Sequence, residues 1–222
     1  MSFDLRLLET YGAEILVSLG VTFLIWIAAS VLGMIGGFAV AVARRWGPSW
    51  VAWPLRGFVE IIRGTPFLVQ IFLLYYGGPF IGLSLDAVPA GLLGLTVYGS
   101  AYYSELFRTG FDAIPKGHLE AADCVGFSRV QMLRRIIVPE MTMLVLPSMV
   151  NMTILMLKET AILSIISVPE LTLEVSSIGS AHYAFVESFT ILALAYWALV
   201  ELCGWAGRLA EARLSRYRFA HS

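Results

Sequence analysis

The side chains that could do chemistry fall into two settings. In the first, charges interrupt long apolar runs: Glu60 with Arg63, Glu105 with Arg108, and Lys158 beside Glu159. A charge at the centre of a bilayer costs at least about 2.5–3.5 kcal/mol, so each should face a protein interior and have a partner. Residues three apart share a helix face, which pairs Glu60 with Arg63 and Glu105 with Arg108. Those pairs read either as a gate or clamp near the inner membrane face or as simple interfacial salt bridges. Lys158 and Glu159 point about 100° apart on a helix, so one can face a pathway while the other packs. They read either as lining that pathway or as a structural pair satisfied within the bundle. The second setting is a polar stretch holding Glu120, Ala121, Ala122, Asp123, Gly126 and Pro139, where carboxylates and small residues could meet a basic partner surface.

Enzyme chemistry finds no support. No Ser/His, Cys/His or paired-carboxylate constellation is present. The chain lacks a G-x-x-x-x-G-K-[ST] phosphate loop, so it cannot hydrolyse ATP by that route. Cys124 and Cys203 lie far apart and read as free thiols, and His118, His182 and His221 are too scattered to suggest a metal cluster.

The elements that must position these residues are membrane helices. The 222 residues are 58% hydrophobic and 14% charged, against about 25% charged in a soluble domain. A net charge of −1 gives no hint of nucleic-acid binding. About 20 apolar residues cross a bilayer, and five segments qualify: 15–43, 57–80, 88–107, 137–166 and 184–207. The first is longer than a signal peptide's apolar core of about 7–15 residues, so it reads as a retained span despite Ala39-Val40-Ala41. Lys and Arg are retained on the cytoplasmic side. Arg44, Arg45 and Arg56 flank the first loop, Arg108, Lys116, Arg129, Arg134 and Arg135 the third, and Arg208, Arg213, Arg216 and Arg218 follow the last span. The connections 81–87 and 167–183 hold neither residue type, and Arg6 alone falls on the far side. This predicts an all-α membrane protein of five spans, N-terminus outside and C-terminus cytoplasmic, as a single domain over 1–222. Trp46, Trp50, Trp53, Trp205 and Tyr217 fit interfacial anchors. The loop 167–183, with Pro169, Glu170, Glu174 and Gly179, is expected to form a short helix or turn at the outer surface. Gly33 and Gly37 form a small-x-x-x-small pair suited to close helix packing.

The inner loop, 108–136, has its own logic. Pro115 and Gly117 break the preceding span, and Leu119 to Val125 can form a short helix with Leu119, Ala122 and Val125 on one face. Gly126 can end it in a left-handed conformation. Pro139 then sits near the first turn of the fourth span, where its missing N–H is tolerated. Physically this is either a docking helix or an ordinary amphipathic loop.

A resemblance separates the two. Glu120-Ala121-Ala122, Gly126, Ile136, Val138 and Pro139 resemble the EAA loop of bacterial ABC importer permeases, E-A-A-x3-G-x9-I-x-L-P, with Val138 in place of Leu. Arg63-Gly64-Thr65-Pro66 with Val69-Gln70 is similar to the R-G-T-P-x-x-V-Q segment of polar amino-acid permeases. Leu157-Lys158-Glu159-Thr160 and Val168-Pro169-Glu170-Leu171 resemble that family's L-K-[DN]-[ST] and V-P-E-L segments, with Glu159 replacing the commoner Asp or Asn. Tyr103-Ser104-Glu105 and Arg108-Thr109-Gly110 resemble two further stretches of the family. The likeness covers about 16–208 and points to the histidine/glutamine/arginine-type branch.

What the resemblance implies is a type I importer permease in the bacterial cytoplasmic membrane. Glu120, Ala121, Ala122, Asp123, Gly126 and Pro139 would form the coupling loop that enters a separate ATPase dimer. ATP would be bound by that partner, with no cofactor on this chain. A second permease subunit, identical or homologous, would complete the pathway, and an external solute-binding protein would feed it. Glu60, Arg63, Glu105, Lys158 and Glu159 would serve as pathway or gate residues for a polar amino acid or related small solute. A secondary transporter or channel would explain the membrane charges but not the EAA loop.

Overall fold

The computed structural model describes residues 6–219, and the side chains of 9–213. Asp4 and His221, and the side chains of Arg6, Arg216, Tyr217 and Arg218, lie outside that description. All regular elements among the described residues are helical.

Two parallel helices form the spine. Helix α1 (Arg6–Trp46) runs 41 residues, and α4 (Ala87–Asp112) lies along it in the same direction. The glycine pair explains the closeness. A Cβ on Gly37 would sit 2.9 Å from both the Ser100 carbonyl oxygen and the Ser104 nitrogen, and one on Gly33 would sit 3.3 Å from the Gly99 backbone. Only residues without a side chain allow this approach. Thirteen of the 26 residues of α4 are buried, which is why it tolerates the Gly, Ser and Tyr that lower its apolarity.

The expected span 57–80 is not one straight helix. It divides into α2 (Ser49–Gly64) and α3 (Phe67–Phe72), and α3 continues through a π turn (Leu73–Gly77) and a 3-10 turn (Gly78–Ile81). The two halves are bent by 110°. Pro66 is the cause. A residue before proline is driven out of the α region, and Thr65 is extended, at φ −119° and ψ 146°. The Gln70 amide covers the break by donating to the Ile62 and Thr65 carbonyls at 2.7 and 2.9 Å.

The fourth apolar segment also differs from expectation. After α5 (Lys116–Cys124), a continuous helical run begins at Arg129, ten residues before Pro139. It comprises α6 (Arg129–Met132), a π turn (Leu133–Ile137), α7 (Val138–Glu159) and a 3-10 stretch (Thr160–Ile166). Ser128 and Gln131 form a capping box that starts the run. Pro139 therefore lies inside it. The wider π turn, closed by Val138 N–H donating to the Leu133 carbonyl, stands just ahead of the residue that has no N–H to give.

The loop 167–183 forms the expected short helix, α8 (Leu171–His182), and α9 (Phe185–Phe219) returns antiparallel to α7. Val150 would meet a Cβ on Gly207, and the Tyr196 hydroxyl lies 3.5 Å from that of Thr160. Thr153 of α7 ties the spine together. Its carbonyl accepts the Trp26 indole N–H at 2.8 Å, and its hydroxyl meets that of Tyr103 at 2.7 Å.

Three described helical runs are long and apolar enough to cross a membrane: Glu9–Trp46, Arg129–Ile166 and Phe185–Arg213. The bent α2–α3 pair would make a fourth, and α4 has the length for another. The directions of α1, α4, α7 and α9 gather Arg44, Arg45, Arg108, Lys116, Arg129 and Arg208 at one end of the bundle.

Candidate functional site

The inner loop takes the form its residues dictate. Helix α5 is closed by Gly126, just past its C-cap Val125, with φ +77°. Gly126 N–H donates to the Asp123 carbonyl and Phe127 N–H to that of Ala122, both at 3.0 Å. This paired pattern is a Schellman closure, and its left-handed position favours glycine. Ala122 is buried and Leu119 packs on the core, whereas Glu120, Ala121 and Asp123 are exposed on α5. The structure thus brings Glu120, Ala121 and Asp123 together on a free face and places Pro139 beyond the π turn, exposed. One expectation fails: Val125 is 70% exposed and does not join Leu119 and Ala122. As the C-cap it has left helical geometry, so the spacing of three no longer sets its direction. A residue that spacing did not reveal holds α5 in place. The His118 Nδ1 lies 2.8 Å from a Glu140 carboxylate oxygen on α7.

The membrane charges separate into two kinds. Glu105 and Arg108 pair as expected, at 3.0 Å, but within a larger knot. Glu105 also binds Arg44 at 2.6 Å and Arg63 at 3.5 Å. Asp112 binds Arg45 at 2.7 Å and Arg108 at 3.0 Å. The expected Glu60–Arg63 pair does not form. Arg63 turns to Glu105 on a different helix and stacks over Tyr102, and Glu60 is exposed with no ion pair among the described residues. Sequence spacing sees only neighbours on the same helix, and here the better partner comes from α4.

Lys158 and Glu159 have no such partners. Neither makes an ion pair or side-chain hydrogen bond among the described residues. Lys158 is exposed and Glu159 partly so. They close α7, and the helix tightens into its 3-10 stretch immediately afterwards. A 3-10 stretch is a common way for an α-helix to end, and this one stops at Ser167 in the left-handed region.

At the other end of the bundle, Glu170 is fully buried. Its carboxylate caps α8 by accepting the Leu173 N–H at 2.8 Å and takes the Tyr196 hydroxyl at 3.1 Å. Thr22 of α1 accepts the Leu171 N–H beside it at 2.9 Å. Burial raises the carboxyl's pKa, while these hydrogen bonds pull it down without prevailing. The sequence carried a signal for it only within the Val168-Pro169-Glu170-Leu171 segment.

Comparison with known proteins agrees with this arrangement. The chain is 30% identical over 215 residues to a probable amino-acid ABC transporter permease protein, YckA, of Bacillus subtilis, covering 97% of this chain and 95% of that one. It is 34% identical to the octopine transport system permease protein OccM of Rhizobium meliloti, covering 94% and 93%. Among solved structures it matches a crystal structure of an amino acid ABC transporter with histidines, at TM-score 0.88 and 30% identity over 96% of this chain and 100% of that one. The model of the binding-protein-dependent transport system inner membrane component family matches residues 29–216. With that match spanning nearly the whole helical bundle, the chain belongs to the family of binding-protein-dependent transport system inner membrane components.

Proposed function

We propose that this permease subunit carries a polar amino acid or a related small solute, such as an opine, inward across a bacterial cytoplasmic membrane. The observation that carries the reading is α5, a short helix fixed at both ends whose Glu120, Ala121 and Asp123 are exposed among the described residues. On this reading α5 enters a groove on an ATPase dimer. Glu120 pairs with a basic ATPase residue, Gly126 sets the exit turn, and Pro139 with the π turn joins the loop to the span. Ala122 seats α5 on the bundle. ATP binding moves α5, and the rigid run from Arg129 carries that motion to Lys158 and Glu159.

The topology follows the basic residues. Five crossings are formed by α1, the bent α2–α3 segment, α4, the run 129–166 and α9, with the N-terminus outside and the C-terminus inside. A second permease, identical or homologous, faces this one across the pathway, and a solute-binding protein docks at the outer end near α8. Lys158 and Glu159 line the pathway, where a zwitterion's carboxylate and ammonium would each find an opposite charge. The knot of Glu105 with Arg63, and Glu60 beside it, lies at the inner gate.

Purification of the tagged chain from its host tests this directly. An ATPase, a second permease copy or homologue, and a solute-binding protein are expected to accompany it, with ATP hydrolysis stimulated by the loaded binding protein. Recovery of the chain alone, with solute transport that persists without ATP, would refute the reading. Glu120→Arg is expected to release the ATPase while leaving the permease folded.

A further inference from the structure

A cavity of about 340 Å³ opens at the basic end of the bundle, between the last turn of α1, the middle of α2 and the last turns of α4. Arg44, Arg45, Arg56 and Arg108 line it together with Ala41 and Asp112. Counting Arg63, five guanidiniums at this end meet two carboxylates, Glu105 and Asp112. Those two acids occupy Arg44, Arg45, Arg63 and Arg108. Arg56 makes no ion pair among the described residues; Glu60, one turn along, does not reach it. The Nε of Arg44 is buried and has no hydrogen-bond partner. A buried charged donor left unpaired is costly, so this wall is short of negative charge and of acceptors.

The surroundings say where an acceptor would come from. Trp50 and Trp53 on α2 are 78% and 70% exposed, and the Arg56 guanidinium stacks over Trp53 at 5.7 Å. Arg45 stacks over Trp46 at 5.4 Å. Exposed tryptophans beside arginines, at the end of apolar helices, match the headgroup level of a bilayer. Guanidinium forks fit phosphate oxygens in a bidentate manner. Basic pockets between membrane helices on the cytoplasmic side suit anionic headgroups.

We propose that this cavity binds a phosphate group, supplied by the headgroup of an anionic phospholipid in the adjoining leaflet. The phosphate sits among Arg44, Arg45, Arg56 and Arg108, and Trp50 and Trp53 hold the acyl–headgroup boundary at that level. The proposal rests on the reading above only in taking this end of the bundle as cytoplasmic.

The test uses the intact transporter complex, delipidated in detergent and offered phosphatidylglycerol, phosphatidylcholine or excess inorganic phosphate. Native mass spectrometry counts the retained lipid, and calorimetry reads phosphate binding. The parent is expected to retain phosphatidylglycerol in preference to phosphatidylcholine. Arg56→Gln is expected to lower that retention about fivefold, the value of one basic residue near an anionic surface. Arg213→Gln, exposed on α9 and outside the cavity wall, is the control and is expected to change nothing. Arg56-dependent binding of inorganic phosphate with no lipid preference would keep the phosphate site and overturn the lipid as its source. Equal retention by Arg56→Gln and parent would overturn the proposal. Copurification of the ATPase, scored on the same sample, reports separately on the transport reading.

Discussion

Glu105 and Glu159 are both carboxylates set in long helices of the bundle, yet their surroundings are opposite. Glu105 is held by Arg44, Arg63 and Arg108, and its side chain is 16% exposed. Among the described residues Glu159 meets no cation, and the neighbouring Lys158 meets no carboxylate. A charge satisfied three times over is built into the fold. A charge left unsatisfied at depth, where solvation is poor, needs something that arrives later: a facing subunit, a solute, or water in an open pathway. The knot therefore ties α1, α2 and α4 together, and the pair at the close of α7 makes no comparable tie among the described residues.

The contrast can be broken at its strong side first. Glu105→Gln leaves Arg44 largely buried beside a neutral amide. It is expected to destabilise the subunit by on the order of 3 kcal/mol, the low end for breaking a buried pair, seen as a lower melting temperature of the complex. At the weak side, Lys158→Gln and Glu159→Gln are expected to slow transport about tenfold, roughly 1.4 kcal/mol, with melting and assembly unchanged. Normal transport by both would end the pathway assignment.

Glu170 sharpens the comparison as a third case, buried but held by neutral donors. Folding raises its pKa, chiefly through burial. A carboxyl of this kind stabilises the fold while protonated, and that contribution is lost as pH rises through the raised value. Stability is expected to decline with pH above the usual carboxylate range, and Glu170→Gln to flatten the decline in a melting series. The smallest effect is expected from Arg63→Gln, whose contact with Glu105 is the longest in the knot and whose side chain is 43% exposed. About 0.2–1 kcal/mol is the range for such a pair. A loss as large as that of Glu105→Gln would show that the knot depends on every member.

The parts of this arrangement that could be read beforehand are those determined by nearby residues. Gly126 announced a left-handed turn, Gly33 and Gly37 a close helix contact, and Glu105 with Arg108 a same-face pair. Each depends on a spacing of a few residues. The parts that were not legible depend on a second element or on local dihedrals. Arg63 chose Glu105 over Glu60 because α4 passes beside it. Pro66 turned an apolar stretch of span length through 110°, since apolarity averaged over a window carries no information about Thr65's backbone. Glu170 caps α8 at a spacing of three, but its burial depends on α1 and α9, which meet it from far along the chain.

The π turn at Leu133–Ile137 has a consequence for how this chain tolerates change. A π turn carries one residue more than an α turn over nearly the same arc, so the extra residue is taken up locally and the helix on either side keeps its phase. Deleting one apolar residue of the segment, such as Ile136, would let it close as an ordinary α turn at the cost of one side chain. Lys158 and Glu159 would keep nearly the same bearing relative to α5. The same deletion within the regular helix between Pro139 and Lys158 would instead turn the pair by about 100°. The five-residue segment is therefore a point of slack in the register, and the helix that follows it has none.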